Sequence, residues 1–409
     1  MKQSQFFIKT LREFPKDEES ANARLLLRGG FIDKNSAGVY TYLPLGLRVL
    51  ENIHGIIREE LNRMGASELF MPALISKKYW EVTSRWNTDI LYKVNDSSGQ
   101  EYGLGFTHEE VLTPILKKVI SSWRDLPVAL YQIQTKFRDE PRARFGLVRT
   151  KEFIMKDLYS FHASEKDLDS YYLKVARVYK KIFKRLGLPV KVVEASGGDF
   201  TSEYTHEFQV LTPAGEDTIF YCSGCDFAQN KEIAKVHEGE SCPLCKKGTI
   251  RKESGIEVGN IFKLGTRFSK PIDLSYKDKS GAKNFVVMGS YGLGSSRVMG
   301  ALVELSHDSA GVLWTPAVSP FQVHLIELAG ARAQASQIYG TLLKRDVNVL
   351  YDDRKGTSPG EKFADSDLFG IPLRIVVSAK TAAAKKVELK ARGEKNVRLI
   401  TIQKAIDYV

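Results

Sequence analysis

The sequence predicts an α+β protein: a large domain built on an antiparallel-rich sheet with long helices, followed by a small α/β domain. Three observations carry that prediction. Val49, Ile53, Ile56, Ile57, Leu61 and Met64 recur at helical spacing, and so do Leu168, Tyr171, Val175, Val178, Ile182 and Leu186. Between these helices lie short extended runs, 130–137 and 147–154, that do not alternate regularly with helices and so favour antiparallel pairing. Beyond Ser319 and Pro320 the rhythm changes to strand 323–328, helix 331–344, strand 347–351, helix 360–369 and strands 373–378 and 397–402, the pattern of a largely parallel sheet.

Taken in order, Gly65 closes the first helix and the extended segment Leu69-Phe70-Met71-Pro72 follows; Gly187 closes the second. Residues 220–254 differ from their surroundings, being rich in Cys, Lys and Gly, and strand and glycine signals return over 255–301. A chain of 409 residues exceeds what one core organises, so two or three domains are expected. No apolar run approaches the roughly 20 residues that span a bilayer. The first nineteen residues lack an apolar signal core and carry Asp17, Glu18 and Glu19, so a cytoplasmic location and no membrane partner are expected. The formal charge is +11, from 60 basic and 49 acidic residues. Residues 320–409 contribute 15 Lys and Arg against 10 Asp and Glu, a modest pointer to a polyanionic partner that a solvated basic surface would explain equally well.

All four cysteines fall into two pairs of one spacing, Cys222-x-x-Cys225 and Cys242-x-x-Cys245, with 16 residues between the pairs. Each pair offers two thiolates at bite distance, so the quartet predicts a tetrahedral structural zinc with no open position. His237 lies between them and is expected at the surface, because four thiolates already complete the shell.

The run Phe137-Arg138-Asp139-Glu140, a basic loop with Arg142 and Arg144, and the return through Arg149 to Phe153 read as a charged hairpin. Arginine can grip a phosphate or carboxylate with two parallel hydrogen bonds, a carboxylate can accept from an adenine amino group, and Phe can stack on a base. Alone, such a run is more often a solvated hairpin. Its context decides. The hairpin resembles motif 2 of the class II aminoacyl-tRNA synthetases, residues 47–72 resemble motif 1, and Gly289-Ser290-Tyr291-Gly292-Leu293-Gly294-Ser295-Ser296-Arg297 resembles motif 3, all in the right order. Phe106-Thr107-His108-Glu109-Glu110, Tyr131 to Arg138, Phe153 to His162, Thr205 to Leu211 and Gly255 to Phe262 are similar to the prolyl-tRNA synthetases of the bacterial type in particular. Thr107 before two glutamates also reads as a helix N-cap, and from the residues alone the cap is favoured. The tail, with Asp352-Asp353-Arg354, Lys362-Phe363-Ala364-Asp365 and Gly370-Ile371-Pro372, is similar to the family's anticodon-binding domain.

The resemblance implies a catalytic domain over 1–219 and 255–318, a zinc-ribbon-like insertion over 220–254 and an anticodon-binding domain over 320–409. It implies ligation of L-proline to tRNA(Pro) through prolyl-adenylate, with ATP and Mg²⁺, in a homodimer formed through motif 1. Arg138 and Arg297 would be catalytic; Glu140, Leu147, Val148, Arg149, Phe153 and Gln209 would complete the ATP site with them. Thr107, Glu109, Met155, Asp157, Tyr159 and His206 would hold proline with Arg138, Arg142 and Arg144 would meet the tRNA acceptor end, and Arg354 and Lys362 would serve the anticodon domain. Two departures stand out. Only the short cysteine segment occupies the interval in which bacterial members commonly carry an editing domain, so cis editing of alanyl-tRNA is expected to be absent. Residues 195–204 depart from the family's usual run and put the rim of the proline pocket in doubt. The competing readings are a threonyl or seryl specificity on the same motifs, of which threonine is disfavoured by Thr107 and Glu109 and by the absence of a catalytic-domain Cys/His zinc spacing, and a non-aminoacylating RNA-binding relative, disfavoured by the intact Arg138, Glu140 and Arg297.

Overall fold

In the computed structural model the chain forms two compact units, one of residues 1–36, 40–53 and 302–409, the other of residues 37–39 and 54–301. All residues are described except 199, 200, 202 and 203, so the unusual run before His206 lies partly outside the described residues. The division departs from the boundaries read from sequence, because residues 1–36 group with the C-terminal domain. Long-range contacts hold them there: Ser4 Oγ donates to Asp353 at 2.8 Å, Thr10 Oγ1 donates to Asp365 at 2.8 Å, and the Phe6 ring meets Phe321 edge-on at 5.9 Å.

The larger unit is built on a nine-stranded sheet. It runs in the order Thr205–Leu211, Lys191–Ala195, Ala228–Asn230, Asp217–Cys222, Ile250–Gly265, Val287–Leu293, Glu152–His162, Val128–Phe137 and Ser67–Glu68, and Thr205–Leu211 pairs again with Ile250–Gly265. Its central pairings are antiparallel, and every residue of Val287–Leu293 is buried. Helix Glu165–Leu186 covers one face. Ser164 caps it by accepting from the Asp167 amide, and Gly187 ends it at φ 77°, a conformation glycine adopts without a Cβ clash. Tyr172, Val175, Tyr179, Ile182, Phe183 and Leu186 fall on the buried stripe, and the Tyr179 and Phe183 rings lie 5.2 and 5.6 Å from Phe208 of the sheet. Truncating a ring such as Phe183 to alanine would cost about 3–5 kcal/mol.

Two local expectations need correction. The run 147–154 is not continuously extended: Phe145 and Gly146, at φ 59° and 58°, turn the chain into a 3₁₀ turn over Gly146–Val148 before the strand begins at Glu152. The cysteine segment is not a separate insertion over 220–254 either, since Asp217–Cys222, Ala228–Asn230 and Ile250–Gly265 are strands of the large sheet.

The C-terminal sheet runs Val349–Asp352, Val323–Glu327, Leu373–Val377, Lys386–Ala391, Arg398–Thr401. Its first two pairings are parallel and its last two antiparallel, so it is less parallel than the sequence predicts. The strand Lys386–Ala391 goes unpredicted because its charged residues mask the alternation of the buried Val387 and Leu389.

Candidate active site

Strand Val128–Phe137 pairs with Glu152–His162 so that Gln132 faces Asp157 and Phe137 faces Glu152. The loop between them carries Arg138 and Glu140 to the edge of a cavity of about 240 Å³. Arg138, Glu140, Leu147, Val148, Arg149, Phe153, Met155 and Arg297 all line it, together with Glu216, Asp217, Glu257 and Asn260. Seven of the eight residues assigned to ATP therefore share one cavity. Gln209 stands just behind the lining: its Nε2 donates to Asp217 at 2.7 Å and to Glu207 at 2.9 Å, and a Cβ on Gly255 would come within 2.7 Å of its Oε1.

The two arginines differ in a way that bears on chemistry. Arg297, in the first turn of helix Ser295–Leu305, is tied down by Nε to the Val148 carbonyl at 2.8 Å and by Nη1 to Glu257 at 2.8 and 3.2 Å. The Arg138 Nε is buried without a hydrogen-bond partner, and the guanidinium lies 5.0 Å over the Phe153 ring. Burial, and then the charge of Arg297, bring its pKa down to about 10. A cation held this way, in a polar cavity, is a receptor for an anion. Glu140 is partly enclosed, which raises its carboxyl, but Arg149 at 2.9 Å and the Arg142 amide at 3.0 Å outweigh burial and hold it below the usual range. Arg149 also donates to Glu216 at 2.9 Å and Arg144 does so at 2.8 Å. Arg144 is thus paired within the chain, and both it and Arg142 are exposed.

Beside the hairpin, Thr107 does not cap a helix. Helix Glu109–Lys117 starts after His108, which makes no side-chain cap, and the Thr107 Oγ1 is buried without a partner. The favoured cap reading is therefore wrong, and the hydroxyl is left without a partner inside the protein. Glu109 is fully buried; it accepts from Ser290 Oγ at 3.1 Å and from Arg85 Nη1 at 3.2 Å. His108 is fastened on three sides: its amide donates to Tyr159 at 2.8 Å, its Nδ1 faces Lys136 Nζ at 2.6 Å, and its Nε2 faces the Pro72 carbonyl at 3.0 Å. Burial, and then Lys136, lower its pKa to about 4. The ring is therefore neutral, with Nδ1 accepting and Nε2 donating.

Asp157 and Tyr159, assigned to proline from the resemblance, sit in this support layer and not in the cavity lining. Asp157 accepts from Gln132 at 3.0 Å, Tyr159 at 2.8 Å and Lys136 at 2.9 Å. Burial raises its carboxyl, but Lys136 and the other partners bring it below the ordinary value. His206 faces Tyr172 OH across 2.7 Å. Met155 is the residue of this set, besides Arg138, that reaches the cavity wall.

The four cysteine sulfurs converge to within 4.8 Å of one another. Sγ of Cys222 lies 3.7 Å from that of Cys245, and Cys225 lies 3.6 Å from Cys242. Thiolates at about 2.3 Å from a tetrahedral zinc are separated by roughly 3.8 Å, so the quartet fits that ion. Amides of Gly224 and Gly248 donate to two of the sulfurs at 3.2 and 3.3 Å, a supporting layer for thiolates. Among the described residues this is the one cluster of metal-ligand type.

In the other unit Lys362 is an interior strut and Arg354 a half-buried one. Arg354 grips Asp352 at 2.9 and 2.7 Å and reaches Asp365 at 2.9 Å. Lys362, 3% exposed, donates to the Glu327 and Asp352 carbonyls at 2.8 and 3.2 Å. Lys362 has no surface to offer an RNA phosphate, which corrects its assignment as an anticodon contact. Sequence reasoning missed Arg85, Lys136, Glu216 and Glu257. Lys136 carries a readable signal, a lysine at an inward position of an alternating strand; Arg85 carries none, since its partners lie 24 and 25 residues away.

Comparison with known proteins agrees with this geometry. Residues 92–306 match the model of the tRNA synthetase class II core domain (G, H, P, S and T), and residues 317–409 match the anticodon binding domain. The whole chain aligns with proline–tRNA ligases from Wolbachia of Brugia malayi, at 40% identity over 99% of that protein, and from Geotalea daltonii, at 34% over 98%. The chain belongs to the prolyl-tRNA synthetase family. The Geotalea alignment extends over 562 positions, many more than the 409 residues of this synthetase, whereas the Wolbachia alignment needs 426. A prolyl-tRNA synthetase of Cryptosporidium parvum shares the fold, with a TM-score of 0.78 at 19% identity, over 95% of this chain and 75% of that one.

Proposed function

We infer that the chain ligates L-proline to tRNA(Pro) at the expense of ATP, in two steps. The observation that carries the reading is the Arg138 guanidinium, its Nε buried without a partner, lining a cavity that Arg297 shares. A related structure, that of the Cryptosporidium synthetase, was solved with L-proline and AMP, ligands of the same chemistry.

Proline carboxylate is ionised in neutral solution, so activation needs no general base. A carboxylate oxygen attacks the α-phosphorus of ATP and pyrophosphate leaves. Catalysis is then positioning and charge stabilisation. Arg138 bridges the carboxylate and the α-phosphate, where negative charge develops. Arg297, braced by Glu257 and Val148, holds the terminal phosphates. Phe153 stacks on adenine and Glu140 accepts from its amino group, with Leu147, Val148 and Arg149 around it. At the other end, Thr107 and Glu109 meet the two N–H donors and the charge of the secondary ammonium, beside Met155. In the second step a terminal ribose hydroxyl of tRNA attacks the prolyl carbonyl and AMP leaves, with the exposed Arg142 beside the acceptor strand.

Mg²⁺ arrives with ATP, and the cavity's Asp217 and Glu257 offer it one or two carboxylates, the number such ions commonly take from protein. Cys222, Cys225, Cys242 and Cys245 hold one structural Zn²⁺. It fixes the tip of strands Asp217–Cys222 and Ile250–Gly265 and takes no part in the reaction. A second copy covers Phe70, 78% exposed at the end of motif 1, in a homodimer. The enzyme works in the cytoplasm and does not hydrolyse alanyl-tRNA in cis, because the short cysteine segment is committed to metal and sheet. No helix of the described residues is long and apolar enough to cross a membrane. The test is charging: incubated with ATP, tRNA and labelled proline, the protein should form acid-precipitable prolyl-tRNA. Label incorporated from threonine or serine, and not from proline, would overturn the assignment.

A further inference from the structure

Glu109 and Glu110 are consecutive, both wholly buried, and both accept from one cation. Arg85 Nη1 lies 3.2 Å from Glu109 Oε2 and 2.9 Å from Glu110 Oε1. The arginine comes from the loop after helix Lys77–Val82 and is itself buried, with its guanidinium 4.5 Å over the Phe106 ring. Thr83 Oγ1 donates to Glu110 at 2.9 Å, while Glu110 Oε2 is buried without a partner. Two buried carboxylates against one guanidinium leave an unbalanced negative charge when both are ionised. That is an unfavourable arrangement in a resting protein and a suitable one for receiving a single positive charge.

We propose that Arg85 is a positioning residue for amino-acid recognition: by pairing with Glu110 and steadying Glu109, it keeps the Glu109 carboxylate aimed so that the ammonium of proline supplies the missing charge. The proposal rests on reading Glu109 as the contact to that ammonium. Arg85 itself touches neither proline nor ATP. Its effect is carried through Glu109, whose other oxygen Ser290 holds from the opposite side at 3.1 Å. Burial raises the Glu110 carboxyl, with Arg85 opposing and Glu109 reinforcing the rise.

Removing Arg85 has a signature that mere loosening of the fold would not produce. The groups facing Glu109 are then Glu110 from its own helix, Lys136 from strand Val128–Phe137 and Tyr159 from strand Glu152–His162, and Lys136 is already engaged by Asp157. Two adjacent buried carboxylates without their cation share a proton in neutral solution, and a protonated Glu109 no longer attracts an ammonium. In the Arg85→Met variant the proline KM should rise roughly tenfold or more near pH 6.5 and fall again toward about pH 8.5 as the proton leaves, while the ATP KM stays put. In the wild type the proline KM should be flat over that range. Adding Glu110→Gln to Arg85→Met should recover part of the loss, because the competing charge is gone.

The experiment is ATP–pyrophosphate exchange on the full chain, with proline and ATP KM measured across this pH range for wild type, Arg85→Met, Arg85→Met with Glu110→Gln, Arg85→Lys and Glu109→Gln. The proposal expects a large, pH-dependent, proline-specific KM effect in Arg85→Met and partial rescue in the double variant and in Arg85→Lys. An Arg85→Met protein that is folded by circular dichroism but shows a pH-independent loss of kcat, or equal rises in both KM values, overturns it and leaves Arg85 a structural strut. If Glu109→Gln itself leaves the proline KM unchanged, the underlying reading of Glu109 fails, and that outcome is distinct from a failure confined to Arg85. Should Arg85→Met not fold, Arg85→Lys decides: a loss confined to kcat, or a rise in the ATP KM equal to that in the proline KM, overturns the proposal.

Discussion

Arg138→Met should make the protein more stable and far less active, and both magnitudes follow from where the guanidinium sits. Its pKa of about 10 lies between two and three tenfold steps below that of a free arginine. At about 1.4 kcal/mol per tenfold step, holding the charge there costs roughly 3 kcal/mol. A base whose folded pKa is lowered destabilises the fold wherever it stays protonated, so the cost is full below about pH 10 and present in neutral solution. Solvent in the cavity screens part of it, which leaves about 1–2 kcal/mol. Methionine keeps the packed stem over Phe153 and removes the charge. Urea unfolding near neutral pH should show the variant more stable by about that amount, a few degrees in Tm. Proline-dependent exchange should meanwhile fall at least a hundredfold, the loss of about 3 kcal/mol of charge stabilisation in the transition state. A folded Arg138→Met protein with exchange within about threefold of wild type would remove the residue from the mechanism. A variant destabilised by more than about 1 kcal/mol would show the guanidinium to be a structural prop instead of a ligand receptor.

Three further predictions concern other parts of the molecule. Freshly purified protein should carry one zinc per chain; Cys242→Ser should lose it and loosen the local segment while sparing most exchange, and an unchanged metal content would remove Cys242 from the set. Preformed alanyl-tRNA for proline should decay in the presence of the enzyme no faster than it does spontaneously, because a pocket shaped for a ring cannot exclude a smaller side chain and no second hydrolytic site is proposed; enzyme-dependent decay would refute the absence of cis editing. Asp308, held to a pKa of about 2 chiefly by Arg392 through two hydrogen bonds of 2.7 Å, is 43% exposed, so Asp308→Asn should cost only about 0.5–1 kcal/mol at neutral pH. A depressed carboxyl stabilises above its unfolded value, so the difference from wild type in urea unfolding should vanish between about pH 4 and pH 2; a difference that persists at pH 2 would assign it to packing.

The parts of this protein legible in its sequence are those in which chemistry repeats at fixed local spacing. The paired cysteines announced a metal site because two identical intervals have no other economical use, and the sulfurs do converge. The helix Glu165–Leu186 could be read because its apolar period and Gly187 agree. The motif 2 and motif 3 arginines could be placed in one cavity because their family resemblance fixed the register. What escaped was decided by tertiary pairing. Thr107 looked like a cap because local patterns cannot show that the helix starts two residues later. Asp157 and Tyr159 looked like pocket walls because a resemblance names residues without naming the layer they occupy. Lys362 looked like a cation for RNA because charge in a sequence does not reveal burial, and Lys386–Ala391 was missed because its buried residues are only two.

The central claim, a class II site committed to proline, is tested most directly by ATP–pyrophosphate exchange with each of the twenty amino acids in turn. The account predicts strong exchange with proline, weak exchange with alanine, and none above background with threonine or serine. Exchange driven best by any other amino acid would contradict the specificity, and no exchange with any of the twenty would contradict catalysis itself.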